Sequence, residues 1–222
     1  MGVVTDAWTW LTTGAHWTGE EGIGVRLAEH VYVSGLALLI AGAVALPLGL
    51  WLGHLGRGGA LAVNVSNVGR AVPVFAVLAL FMVSPLRNAG YVPTVTALVL
   101  FAIPPLLTNA YVGVREVDRA AVRAARGMGM TGAQVFGRVE LPLAAPVVMT
   151  GVRSAAVQVV ATATIAAMVG QGGLGRIITA GFALYDTAQV VAGAVLVALL
   201  ALAVEGVLVG VDRLLVPRPP RT

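Results

Sequence analysis

The chain has 222 residues, of which 58% are hydrophobic and only 11% charged, with a net charge of +4 and a mean hydropathy of +0.91. A soluble domain needs about 25% charged residues to keep its surface wet, so this composition excludes one and makes lipid the second solvent. All 14 basic residues are Arg, and Lys and Cys are absent; that removes a Walker A P-loop, a Schiff-base Lys, disulfides, thiolate metal ligands and a Cys nucleophile.

The N-terminus carries Asp6 early and no Arg before Arg26, which is not the basic start of a cleaved signal peptide. Residues 1–28 are expected to form an external segment, anchored at the membrane interface by Trp8, Trp10 and Trp17. Charge-free runs long enough to cross a bilayer then follow. The first is Val31 to Gly53. The second is Ala71 to Leu86, starting a little earlier. The third, Asn88 to Val114, contains Pro93, Pro104 and Pro105. The fourth, Ser154 to Gly175, follows a lead-in from Leu141 to Val152 and ends in a glycine cluster; the fifth is Thr187 to Val204, with a further apolar turn beyond Glu205. Five transmembrane helices result.

With the N-terminus outside, Arg57, Arg70, Arg115, Arg119, Arg123, Arg126, Arg138, Arg213, Arg218 and Arg221 fall on the cytoplasmic side, against Arg26, Arg87 and Arg176 outside. The positive-inside rule selects this orientation and explains the pI of about 10.3 without nucleic acid. Arg153 is expected at the cytoplasmic interface, where its side chain snorkels, with a gating salt bridge as the alternative, and Glu205 is expected to snorkel or to pair with a polar group on a neighbouring helix. Residues 213–222 form the cytoplasmic tail. Gly49-x-x-x-Gly53 and Gly206-x-x-x-Gly210 have helix-packing spacing, which chance also produces in a chain with 28 Gly.

Eight of the chain's charges lie between Arg115 and Glu140. There Ala120, Ala121, Ala124 and Ala125 line a short helix over 117–128, glycines break it, and a second short helix is predicted over 133–139, with Pro142 starting the next. Arg123-Ala124-Ala125-x-x-Met128-Gly129, then nine residues and Val139-x-Leu141-Pro142, resembles the EAA loop of ABC-importer permeases, with Arg123 in place of the usual Glu and Val139 in place of the usual Ile. The resemblance implies an all-α, polytopic membrane protein with a MetI-like permease core (residues 29–212) and a cytoplasmic coupling helix within residues 115–142. It implies an ATPase-coupling role for Arg123, Ala124, Ala125, Met128, Gly129, Leu141 and Pro142. A bulky charge at Ala125 is then predicted to abolish ATPase association while leaving membrane insertion intact.

Glu29 to His54, Ala125 to Thr131 and Val157 to Ile178 further resemble the osmoprotectant branch, whose solutes are glycine betaine, carnitine and choline. The implied partners are a cytoplasmic ABC ATPase dimer, a second permease copy or paralogue, an extracytoplasmic solute-binding protein and the bilayer of a bacterial cytoplasmic membrane. No cofactor is expected in this chain, since ATP would be bound by the partner. Another small solute, such as methionine, stays open, as does an ATP-independent channel or carrier. An intramembrane enzyme lacks the residues: none of the four Ser lies in G-x-S-x-G, and His16, His30 and His54 are scattered.

Gln158, Thr162 and Thr164 are polar in an otherwise apolar fourth span and are candidates for the translocation path, unless the Thr hydroxyls bond back to the preceding turn. Gly170, Gly172, Gly173 and Gly175 match G-x-G-x-x-G only formally, since no strand precedes them; they are read as an external hinge or gate.

Overall fold

A computed structural model describes residues 2–215, which are helical with no strand among them. The tail from Val216, with Arg218 and Arg221, lies outside the described residues. The helices are α1 (Val3–Thr12), α2 (Ile23–Leu55), α3 (Gly59–Ala71), α4 (Val74–Met82), α5 (Val92–Arg115), α6 (Arg119–Gly127), α7 (Gly132–Val135), α8 (Leu141–Ala163), α9 (Gly175–Leu184) and α10 (Thr187–Leu215). Contacts divide the chain into two units. The first comprises residues up to Leu38, Val72–Val99 and Ala156–Val204; the second comprises Leu39–Ala71, Leu100–Ala155 and the residues from Glu205 on.

Four continuous helical stretches are long and apolar enough to cross a membrane: Ile23–Leu55, Val92–Arg115, Gly132–Val169 and Thr187–Leu214. The remaining predicted span is broken. Of its residues, Ala71 ends α3, the 9 residues of α4 carry the middle and Pro85 and Leu86 fall in a 3₁₀ turn; Pro73 parts α3 from α4, its missing N–H and ring disfavouring a helix running through it. Four long helices and this interrupted stretch are consistent with five passes.

Span ends read from charge alone shift where charges are paired. Helix α2 starts at Ile23 rather than Val31, because Arg26 and Glu29 neutralise each other one turn apart at 3.0 Å. The predicted short helix over 133–139 does not end before Pro142. The chain runs on from α7 through a π-turn, Phe136–Glu140, into α8. Proline has no N–H to give to the carbonyl of the preceding turn and its ring crowds that carbonyl; the wider π-turn immediately ahead relieves both.

In the second unit α5 is the hub. A Cβ at Gly49 would lie 2.6 Å from the Leu107 carbonyl oxygen, and one at Gly53 would lie 2.8 Å from that of Tyr111. The Gly49/Gly53 pair is therefore a packing face of α2 on α5, not a chance spacing. Gly206 and Gly210 have nothing within 4 Å of an added Cβ among the described residues. From the other side, Gly151 of α8 meets the Asn109 side chain of α5. A core of Val114, Val117, Val122, Ala125, Val135 and Ala144 ties α6 and α7 to α5 and α8.

The first unit centres on Ile23, Leu174, Ile177 and Val197, with Trp10 packed against them. Trp8 and Trp17 are exposed, as interfacial anchors would be, whereas Trp10 stacks on His16 with centroids 4.1 Å apart. Helices α9 and α10 form a hairpin closed at Tyr185, which has φ +56°, and at Asp186, whose Oδ1 accepts from the Gln189 N–H at 3.1 Å. Only 6% of the most apolar stretch of α10 is buried within the chain.

Candidate functional site

The charged island folds as the sequence pattern requires. Asp118 caps α6, its Oδ1 accepting from the Ala120 N–H at 2.8 Å. The helix ends in a Schellman motif: the Met130 N–H donates to the Ala125 carbonyl at 3.2 Å and the Gly129 N–H to that of Arg126 at 2.9 Å. Gly129 sits at φ +86°, a conformation that costs an L-residue about 1–2 kcal/mol. Thr131 and Gln134 then form a capping box that starts α7. Gly129→Ala is accordingly expected to destabilise the permease by about 1 kcal/mol, with Gly129→Asn milder, read as a fall in thermal midpoint.

The predicted alanine face splits in two. Ala120, Arg123, Ala124, Gly127 and Met128 form an exposed stripe at helical spacing, with Met128 73% exposed. Ala125 is 2% exposed and belongs to the core with Val122. The expectation that a bulky charge at Ala125 would test docking alone therefore needs correcting: such a side chain would first disrupt the packing of α6 on α5, α7 and α8. Leu141 and Pro142 are exposed on α8. Beneath the loop, Glu140 is 1% exposed and pairs with His54, whose ring meets Phe136 edge-on at 5.2 Å. Sequence reading missed this pair because the partners lie 86 residues apart.

Arg153 is not at a helix end. It lies 12 residues beyond Leu141, inside a membrane-length helix, and its guanidinium pairs with Glu205 of α10, Nε donating to Oε1 at 3.0 Å. Asp212 lies 4.0 Å from its Nη1. The pairing with Glu205 gives the Arg153 guanidinium an opposite charge within the chain, as the salt-bridge alternative expects.

Of the path candidates, Gln158 and Thr162 are half-buried, while the Thr164 hydroxyl bonds back to the Ala161 carbonyl at 2.6 Å. The glycine cluster follows a 3₁₀ turn, Thr164–Val169, and opens α9, which is no dinucleotide-binding setting. Two consecutive side chains of α2 grip two consecutive amides of this loop. Glu29 accepts from the Gly173 N–H at 2.8 Å and from Arg26 at 3.0 Å. The Leu174 N–H donates to His30 Nδ1 at 3.3 Å, so Nε2 carries the hydrogen given to the Val160 carbonyl at 2.9 Å; the imidazole is neutral in this arrangement.

Glycine is required where the loop passes these side chains. Gly173 has φ +90°, and a Cβ there would lie 3.1 Å from His30 Nδ1; a Cβ at Gly172 would run into the Glu29 carboxylate, and one at Gly175 into the Thr164 carbonyl. Tyr91 directs its hydroxyl at Glu29 from 3.5 Å. Burial and then the Glu29 carboxylate push its phenol above the ordinary value, which keeps it a donor. A carboxylate and an imidazole opening an apolar helix were the available sequence signal for Glu29 and His30.

Comparison with known proteins places these features in a lineage. Residues 45–218 match the family described as binding-protein-dependent transport system inner membrane component. The choline transport system permease protein OpuBB of Bacillus subtilis is 38% identical over 85% of this chain and 86% of its own length. The glycine betaine/carnitine/choline transport system permease protein OpuCB of the same organism is 35% identical over 87% and 88%. In fold, the chain is similar to the inward-facing MetNI methionine ABC transporter, with a TM-score of 0.75 at 20% identity, covering 88% of this chain and 96% of that one. The chain belongs to the family of binding-protein-dependent transport inner-membrane components, the membrane-spanning permeases of ABC importers.

Proposed function

We propose that this chain forms the translocation path of an ATP-driven importer for an osmoprotectant such as glycine betaine, carnitine or choline. The N-terminus lies outside and the C-terminus in the cytoplasm, in the cytoplasmic membrane of a bacterium. The solute class follows the relatives at 35–38% identity rather than the methionine transporter, whose likeness is one of fold. Helix α6 is the coupling helix of a separate ATPase dimer, which supplies the nucleotide site that a chain without Lys cannot build as a P-loop. The observation that carries this reading is the exposed stripe from Ala120 to Met128, held by a cap at each end of its helix. Small residues there let a partner backbone approach closely, and Met128 offers an adaptable apolar contact.

Helix α10, barely covered by its own chain, faces lipid and a second permease copy or a paralogue. Gln158 and Thr162 face the path between them, and Thr164 lies at its outer end. The loop Gly170–Gly175, with Gly170, Gly172, Gly173 and Gly175 as its pivots, is the external gate, latched by Glu29 and His30. The decisive experiment is reconstitution in liposomes with the ATPase and the binding protein, measuring ATP-dependent uptake of radiolabelled betaine, carnitine and choline. Uptake that survives removal of the ATPase would sink the importer reading; ATP-dependent uptake of methionine with none of the three would sink the solute class.

A further inference from the structure

The loop of glycines is also one wall of a polar cavity. Arg26, Glu29, Arg87 and Arg176 line a space of about 470 Å³ with Gly170 and Gly172, so three guanidinium groups face one carboxylate. That carboxylate is already committed, to Arg26 and to the Gly173 amide. Arg26 is doubly committed, binding Glu21 as well at 3.0 Å. Arg87 and Arg176 have no acidic partner among the described residues. Arg176 stands in the first turn of α9, where the positive end of the helix disfavours a cation. Local helix stability does not account for it.

We propose that Arg87 and Arg176 form a socket for a carboxylate side chain of the extracytoplasmic solute-binding protein. This rests on the importer reading and its orientation, which put the cavity on the outer face. A docked carboxylate would lie against Gly170 and Gly172, so the gate loop senses docking directly, and it would compete with Glu29 for Arg26, the guanidinium that helps to hold the latch. No aliphatic side chain lines the cavity, which speaks against a lipid whose acyl chains need an apolar trough. Glycine betaine and carnitine carry a carboxylate but choline does not, so a carboxylate socket for the solute would not serve the whole proposed class.

The test uses the complete permease–ATPase complex in nanodiscs and titrates the purified binding protein at low and high salt. Arg87→Ala with Arg176→Ala is expected to weaken binding about 10-fold or more and to flatten its salt dependence, because two charge-assisted contacts are lost. Basal ATPase activity without the binding protein is expected to stay unchanged, and Arg87→Lys with Arg176→Lys to retain most of the affinity. Equal affinity and salt dependence in wild type and the Ala variant would overturn the socket while leaving the importer reading intact. So would affinity that drops only when anionic lipid is withdrawn, or a rise in uptake KM with docking unaltered. A wild-type complex that binds no binding protein would overturn the importer reading and the socket with it.

Discussion

Replacing Arg153 by Met is expected to lower the thermal midpoint of the solubilised permease, because it removes the guanidinium that Glu205 pairs with. Arg153 lies about 18 Å along α8 from Leu141, and its partner Glu205 sits within a second membrane-length helix. The two side chains keep 30% and 32% of their exposure within the chain, so solvent screens part of their attraction and the loss is smaller than for a fully buried pair.

The effect is expected to be asymmetric. Glu205→Gln leaves Arg153 with Asp212 4.0 Å away, whereas Arg153→Met takes from Glu205 the guanidinium it pairs with. The arginine variant is therefore the more damaged of the two. Exchanging the charges, Arg153→Glu with Glu205→Arg, is expected to recover part of the loss. A double-mutant cycle on thermal unfolding reads the coupling directly. Strictly additive single variants would show that the pair contributes nothing.

Ala124→Trp is expected to reduce recovery of the ATPase subunit with the permease by about 10-fold or more, with the permease's own thermal midpoint nearly unchanged. Ala124 is exposed in the stripe between Ala120 and Met128, so a large ring there blocks the close approach of a partner without disturbing the chain's own packing. Ala125→Trp is expected to behave in the opposite order. At 2% exposure against Val114, Val135 and Ala144, overpacking costs about 1–3 kcal/mol before any partner arrives. Co-purification of the complex beside thermal unfolding of the permease alone separates the two. An Ala124→Trp variant that recovers the ATPase in full would remove α6 as the coupling helix.

The sequence reached far in this protein because lipid imposes a simple rule. Every backbone group must be satisfied inside a helix, so long charge-free runs read as spans with little ambiguity. The charged island, its glycine break and its Leu141-Pro142 exit were equally legible, since caps and turns depend on neighbouring residues. Reading failed where a charge was paired, whether one turn along the same helix or 52 residues away. Arg26 with Glu29 and Arg153 with Glu205 made two helices look shorter than they are, because segmentation by charge treats each ionised group as if it were alone.

Composition, helix count, family and the coupling turn were thus determined by the sequence itself, through local propensity and the solvent the chain must meet. Tertiary structure alone decided which face of α6 is open, whether Gly49 and Gly53 pack on α5, and that Glu29 and His30 hold the glycine loop 144 residues away. Those facts depend on which helices lie side by side, and helical periodicity is blind to that. A small residue in a contact and a small residue facing lipid look identical until the neighbouring helix is in place.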